Sequence, residues 1–466
     1  MLRNLSFRTA FPVTVATLAL SMSATLIAQM SYKPPAGRTL LRAGKVLDVH
    51  TGKETPAETI IVEGDHIVAL APTASTPAQS GDREVDLTAY TVMPGLIDVH
   101  THLTMATNFD PYFELSMTPG KEAIIGVENA KTTLEAGFTT VRNVGANDFA
   151  DVALRDEINA GHIPGPHMQV SGPIITITGG HADQNLLPYE YHVHSEGTAD
   201  GVAGVQHQVR ENIKYGADLI KFTASGGVLS KGDDPQASQF TLEEMQAIVA
   251  DAHRLGRKVA AHAHGAQAIL WASEAGVDSV EHGSYIDDAG IAMMLKHGTY
   301  LVPTAYLIDW LQQYGHLPAL YQQKMLDVGA AMKANHRRAI QAGVKVALGT
   351  DAAVYPHGLN AHELDVYVNQ YGMTPLAAIQ SGTLNAADLM GWSDKVGSLE
   401  PGHWADVIAV SGDPLADVRI LQHVPFVMKA GVIYKDEQQP AAVDKLVAEA
   451  PAGPPAAAAT TGVDTF

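Results

Sequence analysis

Five short segments of the chain carry side chains that can hold metal ions or move protons. They are His100-Thr101-His102, Lys221, His262-Ala263-His264, Glu281-His282-Gly283 and Gly349-Thr350-Asp351. Side chains two apart on an extended chain share a face, so the paired histidines can aim both imidazoles at one ion. Imidazole and carboxylate suit Zn²⁺, and also Mn²⁺, Fe²⁺ or Co²⁺. Each segment has an ordinary reading as well. An HxH pair is unsurprising among 21 histidines. Asp351 could cap a helix, Lys221 could snorkel to solvent, and His282 could be a loop residue. What they share is position. Four close a short apolar run, and Lys221 lies inside one.

Those runs are the elements that must position the chemistry. They occupy residues 91–100, 139–144, 167–172, 218–223, 258–263, 279–283, 300–305 and 345–351. Helical stretches separate them. In TLEEMQAIVADAHRLG, Thr241 is an N-cap, Glu244 completes a capping box and Gly256 is the stop. Eight strands alternating with helices predict an α/β fold, a (β/α)8 TIM barrel over residues 93–395. A doubly wound open sheet is the alternative. In a barrel the C-terminal strand ends meet at one mouth, whereas an open sheet would not bring strands one, four, five, six and eight together. Residues 38–92 and 396–436 carry shorter alternating patterns, and neither block is large enough to fold comfortably alone. They predict one small β-sandwich domain built from both chain ends.

Composition narrows the function. The chain has 466 residues, 46% hydrophobic and 17% charged, so it is not a disordered polyelectrolyte. A formal charge of −20 argues against a nucleic-acid partner. With no cysteine, disulfides, thiolate nucleophiles, Fe–S clusters and Cys-ligated zinc are excluded. Arg3, Arg8, the apolar run FPVTVATLAL and small residues up to Ala28 predict a signal peptide over 1–28. The run is short for a membrane span, which needs about 20 residues. An uncleaved anchor is the alternative reading. The expectation is a periplasmic or secreted protein with no stable membrane insertion after signal removal. Residues 450–466, rich in Pro, Ala and Gly, are expected to be a disordered tail.

The segment MPGLIDVHTHL (93–103) resembles the signature of the amidohydrolase superfamily. KFTASGGV (221–228), VAAHAHG (259–265), EHGSYID (281–287), LGTDAAV (348–354) and GSLEPGHWADVIAV (397–410) also fit. The resemblance covers about residues 38–435 and is nearest the prolidase-like (Xaa-Pro dipeptidase) and ochratoxinase-like branch. It implies two divalent metal ions, zinc expected, bridged by N6-carboxylated Lys221. His100, His102 and Asp351 would hold one ion. His262 and His282 would hold the other. Either His262 or His264 could serve by geometry; the family pattern places the ligand at His262, leaving His264 behind it or facing substrate. Burial lowers a lysine pKa, and carboxylation requires neutral amine.

The resemblance implies that a bridging hydroxide attacks an amide carbonyl while Asp351 transfers the proton to the leaving amine. It implies that His181, in TITGGHAD (176–183), donates to the substrate carbonyl oxygen. Lys231 could meet a substrate carboxylate or be a solvated loop lysine. Tyr285 and Tyr306 are further candidate substrate contacts that could equally serve packing, with His357 and His362 ranked lower. The expected substrate is a small molecule, a dipeptide or N-acyl amino acid with a free carboxylate. A cyclic-amide hydrolase resembling imidazolonepropionase, or a lactonase, is the alternative. Deaminase relatives commonly carry Glu three residues after the strand-five histidine, where this chain has Gly265. A binding protein without activity would lack a ligand, and none is missing. The resemblance also implies a homo-oligomer.

Overall fold

The computed structural model describes residues 30–110, 112–445 and 447–448. The expected signal peptide and the expected tail lie outside the described residues. The elements below belong to the unit Ser31–Val447.

The N-terminal block supplies β1 (Arg38–Asp48), β2 (Lys53–Pro56), β3 (Glu58–Glu63), β4 (His66–Pro72) and β5 (Arg83–Pro94). Seven strands follow, separated by helices: β6 (Leu96–Thr101), β7 (Phe138–Asn143), β8 (His167–Val170), β9 (Leu219–Thr223), β10 (Lys258–Ala263), β11 (Ser279–His282) and β12 (Tyr300–Val302). The C-terminal block adds β13 (Val407–Val410), β14 (Phe426–Lys429) and β15 (Val432–Asp436).

The helix Leu242–Arg254 starts as its sequence predicts. Thr241 accepts from the Glu244 backbone, and the Glu244 carboxylate reaches back to the Thr241 backbone. This reciprocal pair satisfies two otherwise orphaned N–H groups. Met245, Ile248, Val249 and Ala252 recur at helical spacing and pack on the strands. Burying a side chain such as Ile248 contributes about 1.5–3 kcal/mol.

On the strand side of that layer lie Ile220, Phe222, Val259, Ala261, Ala263 and Val280. The two-residue pleat then turns Lys221, His262 and Glu281 toward the opposite face. Strand register brings them level: Lys221 pairs with Ala260, His262 with Glu281, and Ala263 with His282.

The seven strands form two parallel sheets, β6-β7-β8 and β9-β10-β11-β12. Isolated parallel bridges link them at Ile175–Phe222, Leu301–Val346 and Thr101–Ala352. This is an α/β, barrel-like arrangement with no continuous ladder around it. The expected eighth strand, 345–351, is not a regular strand. It bonds to both neighbours, with Leu301 N–H donating to Lys345 O and Val99 N–H to Leu348 O. It then breaks from extended geometry at Asp351, whose φ is +60°.

The two chain ends do meet, but in one hydrogen-bonded sheet rather than two facing sheets. Its order is β15-β14-β13-β5-β1-β3-β4, with β2 paired to β1. Strand β5 is the junction. It runs parallel to β1 and antiparallel to β13, so one ladder passes from the N-terminal block into the C-terminal block. Among the described residues, no helix is long and apolar enough to cross a membrane.

Candidate metal centre

Two groups of ligand-type atoms gather at the C-terminal strand ends. One comprises His100, His102 and Asp351; the other comprises His262, His264 and His282. His100 Nε2 lies 3.4 Å and His102 Nε2 3.2 Å from Asp351 Oδ1. His100 and His282 link the groups, with ring centroids 5.1 Å apart. All six residues, with Lys221 and His181, line one cavity of about 660 Å³.

Each ring is held by one nitrogen, leaving the other available. His100 Nδ1 sits 2.7 Å from Glu281 Oε2, and His102 Nδ1 3.3 Å from Gly145 O. His282 Nδ1 pairs with Thr304 Oγ1 at 2.8 Å, and His264 Nδ1 with Ser284 Oγ at 2.8 Å. His262 is reversed: its Nε2 pairs with Gly226 O at 3.2 Å, leaving Nδ1. Ligating histidines are ordinarily oriented in this way by a partner on the far nitrogen.

Electrostatics favour ligands in their binding forms. Burial, with neighbouring imidazoles and Lys221, holds His262 and His282 well below the ordinary histidine value. Burial also brings His264 to about 3. Burial alone would raise Asp351, but His100 and His102 outweigh it and hold the carboxyl well below its usual range. Neutral imidazole and ionised carboxylate are the forms that bind metal.

Lys221 is 2% exposed and projects from β9 into this setting. Burial lowers its ammonium to about 8. Glu281 and Asp351 oppose that shift at a distance, yet among the described residues Nζ makes no hydrogen bond or ion pair. A buried, unpartnered amine at the cavity wall is the state from which carboxylation is chemically simplest. The backbone is strained at the same place. His282 and Asp351 hold φ of +68° and +60°, and Thr304, the partner of His282, holds +49°. Such conformations cost about 1–3 kcal/mol each and cluster at functional sites. Gly349 makes the close approach possible, since a Cβ there would lie 2.7 Å from His100 Cβ. These observations fit a centre with two cations.

The remaining expectations divide. His181 reaches the cavity, its ring stacked on His262 at 4.3 Å. Lys231 is exposed on the cavity lining. Tyr285 and Tyr306 do not line it. Tyr306 stacks on His362 at 4.7 Å and meets Tyr355 edge-on at 5.2 Å, so its ring is used in packing. Tyr285 contributes a backbone N–H to His264 O, and its side chain is half-buried outside the lining. His357 is buried against Thr133, 3.1 Å from its hydroxyl.

Several supporting residues had no assigned role in the sequence. Glu281 accepts from Arg142 at 2.8 Å, and Arg142 also donates to Val99 O. Burial would raise Glu281, but Arg142 and His100 outweigh it and bring the carboxyl to about 2. Asp98 accepts from the His100 backbone and from Asn360, tying β6 to the segment beyond Asp351. The readable signal for both was an acidic residue inside an apolar strand, which is rarely tolerated without a partner. Thr304 and Ser284 carried no such signal.

Fold and site together define a metal-dependent hydrolase of the amidohydrolase type. The chain belongs to the amidohydrolase family, whose model matches residues 91–434, and it is a hydrolase acting on C–N bonds. Its relatives are more specific. Ochratoxinase from Aspergillus niger is 36% identical over 372 residues, covering 74% of this chain and 75% of the relative. The solved structure of a Xaa-Pro dipeptidase with methionine in its active site shares 37% identity, with a TM-score of 0.81. It covers 86% of this chain and 100% of that one. The A. niger ochratoxinase structure shares 31% identity with a TM-score of 0.77, over 86% and 96% of the two chains.

Proposed function

We propose that this chain is an exported, binuclear amidohydrolase that cleaves the amide bond of dipeptides such as Xaa-Pro, or of N-acyl amino acids with a free carboxylate, including ochratoxin-like amides. The observation that carries this reading is the pair of ligand groups meeting beside buried, unpartnered Lys221. The ochratoxinase and Xaa-Pro dipeptidase relatives support the substrate class.

In this reading His100, His102 and Asp351 hold one ion, His262 and His282 hold the second, and carboxylated Lys221 bridges them. Zinc suits the all-nitrogen-and-oxygen donor set. When bound, two such ions acidify water and polarise an amide carbonyl. The chain's own residues do the rest. Glu281, Thr304 and Gly226 orient the rings. Asp351, held as carboxylate at the cavity wall, accepts the proton that the leaving amine requires. His264 stands beside His282, rings stacked 4.8 Å apart, and faces the same space. Lys231, exposed on the cavity lining, is read as the partner of a substrate carboxylate.

The two parallel sheets and their bridges are read here as one (β/α)8 barrel, with residues 38–92 and 396–436 as its companion domain. Export rests on residues 1–28, and a homo-oligomer on the family resemblance. Kinetics of the zinc-loaded protein on Xaa-Pro, Xaa-aromatic and N-acyl amino acids test the function. Turnover of at least one such class, lost with chelator, is the expected result. Full-rate hydrolysis by metal-free protein, or no turnover of any of them, would refute it.

A further inference from the structure

Glu363 is fully buried, and among the described residues it has no ion-pair partner. Glutamate is almost never fully buried unless paired. Here both oxygens are taken up by backbone. Oε1 accepts from the Ala305 N–H at 2.5 Å, and Oε2 from the Tyr306 N–H at 2.8 Å. Burial raises this carboxyl, and the two N–H groups oppose that shift. Both belong to the start of the helix Tyr306–Tyr314, where N–H groups lack intrahelical partners. Ala305 supplies no side-chain cap, so Glu363 reaches across from the helix His362–Asn369 to cap it. Beside it, the His362 ring stacks on the Tyr306 ring.

The turn held in this way carries two parts of the site. Thr304, with φ of +49°, places its Oγ1 2.8 Å from His282 Nδ1. Leu307, Ile308 and Leu311, on the capped helix, line the cavity. The Ala305 N–H lies in the planar peptide that follows Thr304, so fixing that N–H fixes the Thr304 backbone. A threonine in the left-handed region persists only where its surroundings hold it. The same segment braces the other ligand group. Asn360 Nδ2 donates to Asp98 Oδ2 at 2.7 Å, and Asp98 Oδ1 accepts from the His100 N–H at 3.0 Å.

We propose that Glu363 is a positioning residue for the second ion. By clamping the Ala305 and Tyr306 N–H groups it holds Thr304 in its strained conformation, and through the Thr304 hydroxyl it aims His282. This rests on the binuclear reading and adds to it a residue outside the cavity.

A double-mutant cycle tests this, with zinc affinity read by chelator competition. Glu363→Gln keeps the shape, but an amide nitrogen cannot accept, so one of the two bonds is lost whether or not the carboxyl is ionised. Wild-type protein should bind two zinc ions. Thr304→Ala and Glu363→Gln should each weaken one of them by about 10–100-fold and leave the other unchanged. The double variant should lie within about twofold of Thr304→Ala alone, since Glu363 acts through Thr304. Glu363→Asp keeps the charge but is one methylene short. It should show the same selective loss, and it takes the place of Glu363→Gln if that variant does not fold. Unchanged zinc affinity, lost stability without a selective loss of zinc, or fully additive effects would each overturn the proposal. If wild-type protein binds fewer than two ions, the binuclear reading fails instead. The crystal structure of Glu363→Gln then decides: a Thr304 hydroxyl displaced from His282 Nδ1 supports the proposal, and an unmoved one overturns it.

Discussion

His100 and Glu281 meet through a 2.7 Å contact between Nδ1 and Oε2, and neither side chain has appreciable contact with solvent. The pairing turns His100 Nε2 toward Asp351. Glu281 in turn is held by Arg142, itself buried. A buried ion pair of this kind is weak evidence for stability, because desolvation offsets the attraction. Its clearer use is orientation. It ties a ligand on β6 to the strand carrying His282.

Glu281→Gln keeps the shape and removes the charge. Metal affinity should fall by about 10–100-fold, the usual cost of losing a partner behind a ligand. Thermal stability should also fall, since Arg142 loses its buried counterion. Competition with a zinc chelator measures the first effect. Unchanged affinity would mean that His100 is oriented by other contacts.

Lys221→Ala should leave the fold intact, since β9 retains Ile220 and Phe222 in the core. It should remove activity and lower bound metal below two ions per chain. Small carboxylic acids such as acetate should restore part of both, by supplying the oxygen ligand that the carboxylated side chain provides. Full activity in the variant without added acid would show that Lys221 bridges nothing.

Stability of the metal-free protein should depend on pH through its buried histidines. Burial brings His264 and His357 to about 3 and His336 to about 4. In the unfolded chain they titrate near 6.5. As pH falls below 6.5, the unfolded chain binds protons that the folded chain refuses, so stability is lost progressively down to the folded values. Glu281, at about 2 when folded, adds a further loss that begins near its ordinary value of 4.5 and is complete at about 2. Each group contributes up to about 1.4 kcal/mol per pH unit in its window. Asp98 and Asp151, raised to about 6, and Glu363, raised to about 8, oppose this trend. The lowered histidines, His181, His262 and His282 among them, outnumber these carboxyls, so urea midpoints should still fall between about pH 7 and about pH 4. A flat profile would contradict these shifts.

Gly349→Ala tests the packing of the irregular eighth segment. The new Cβ would sit 2.3 Å from Val302 Cγ1 and 2.7 Å from His100 Cβ. Overpacking of this kind costs about 1–3 kcal/mol. Because the clash falls on a ligand residue, activity should drop more than stability. Urea unfolding and metal content together separate the two effects.

The candidate site was partly legible in the sequence. His100, His102, His262, His264, His282 and Asp351 stand at the ends of apolar runs and Lys221 inside one, while their division between two ions came only from the family resemblance. What holds them was less legible. Arg142 reaches Glu281, and Thr304 reaches His282, across strands that only the fold brings together. Tyr285 and Tyr306 show the converse limit, since a place near a strand end does not say where a ring turns. The barrel-like order followed from alternation, but the break at Asp351 did not. Its left-handed backbone depends on contacts with β6 and β12 that no local pattern records.

Titrating zinc into metal-free protein while following hydrolysis of a dipeptide or N-acyl amino acid tests the central claim most directly. The account predicts activity that rises with added metal up to two ions per chain and is flat beyond. Saturation at one ion, or undiminished hydrolysis with none, would contradict it.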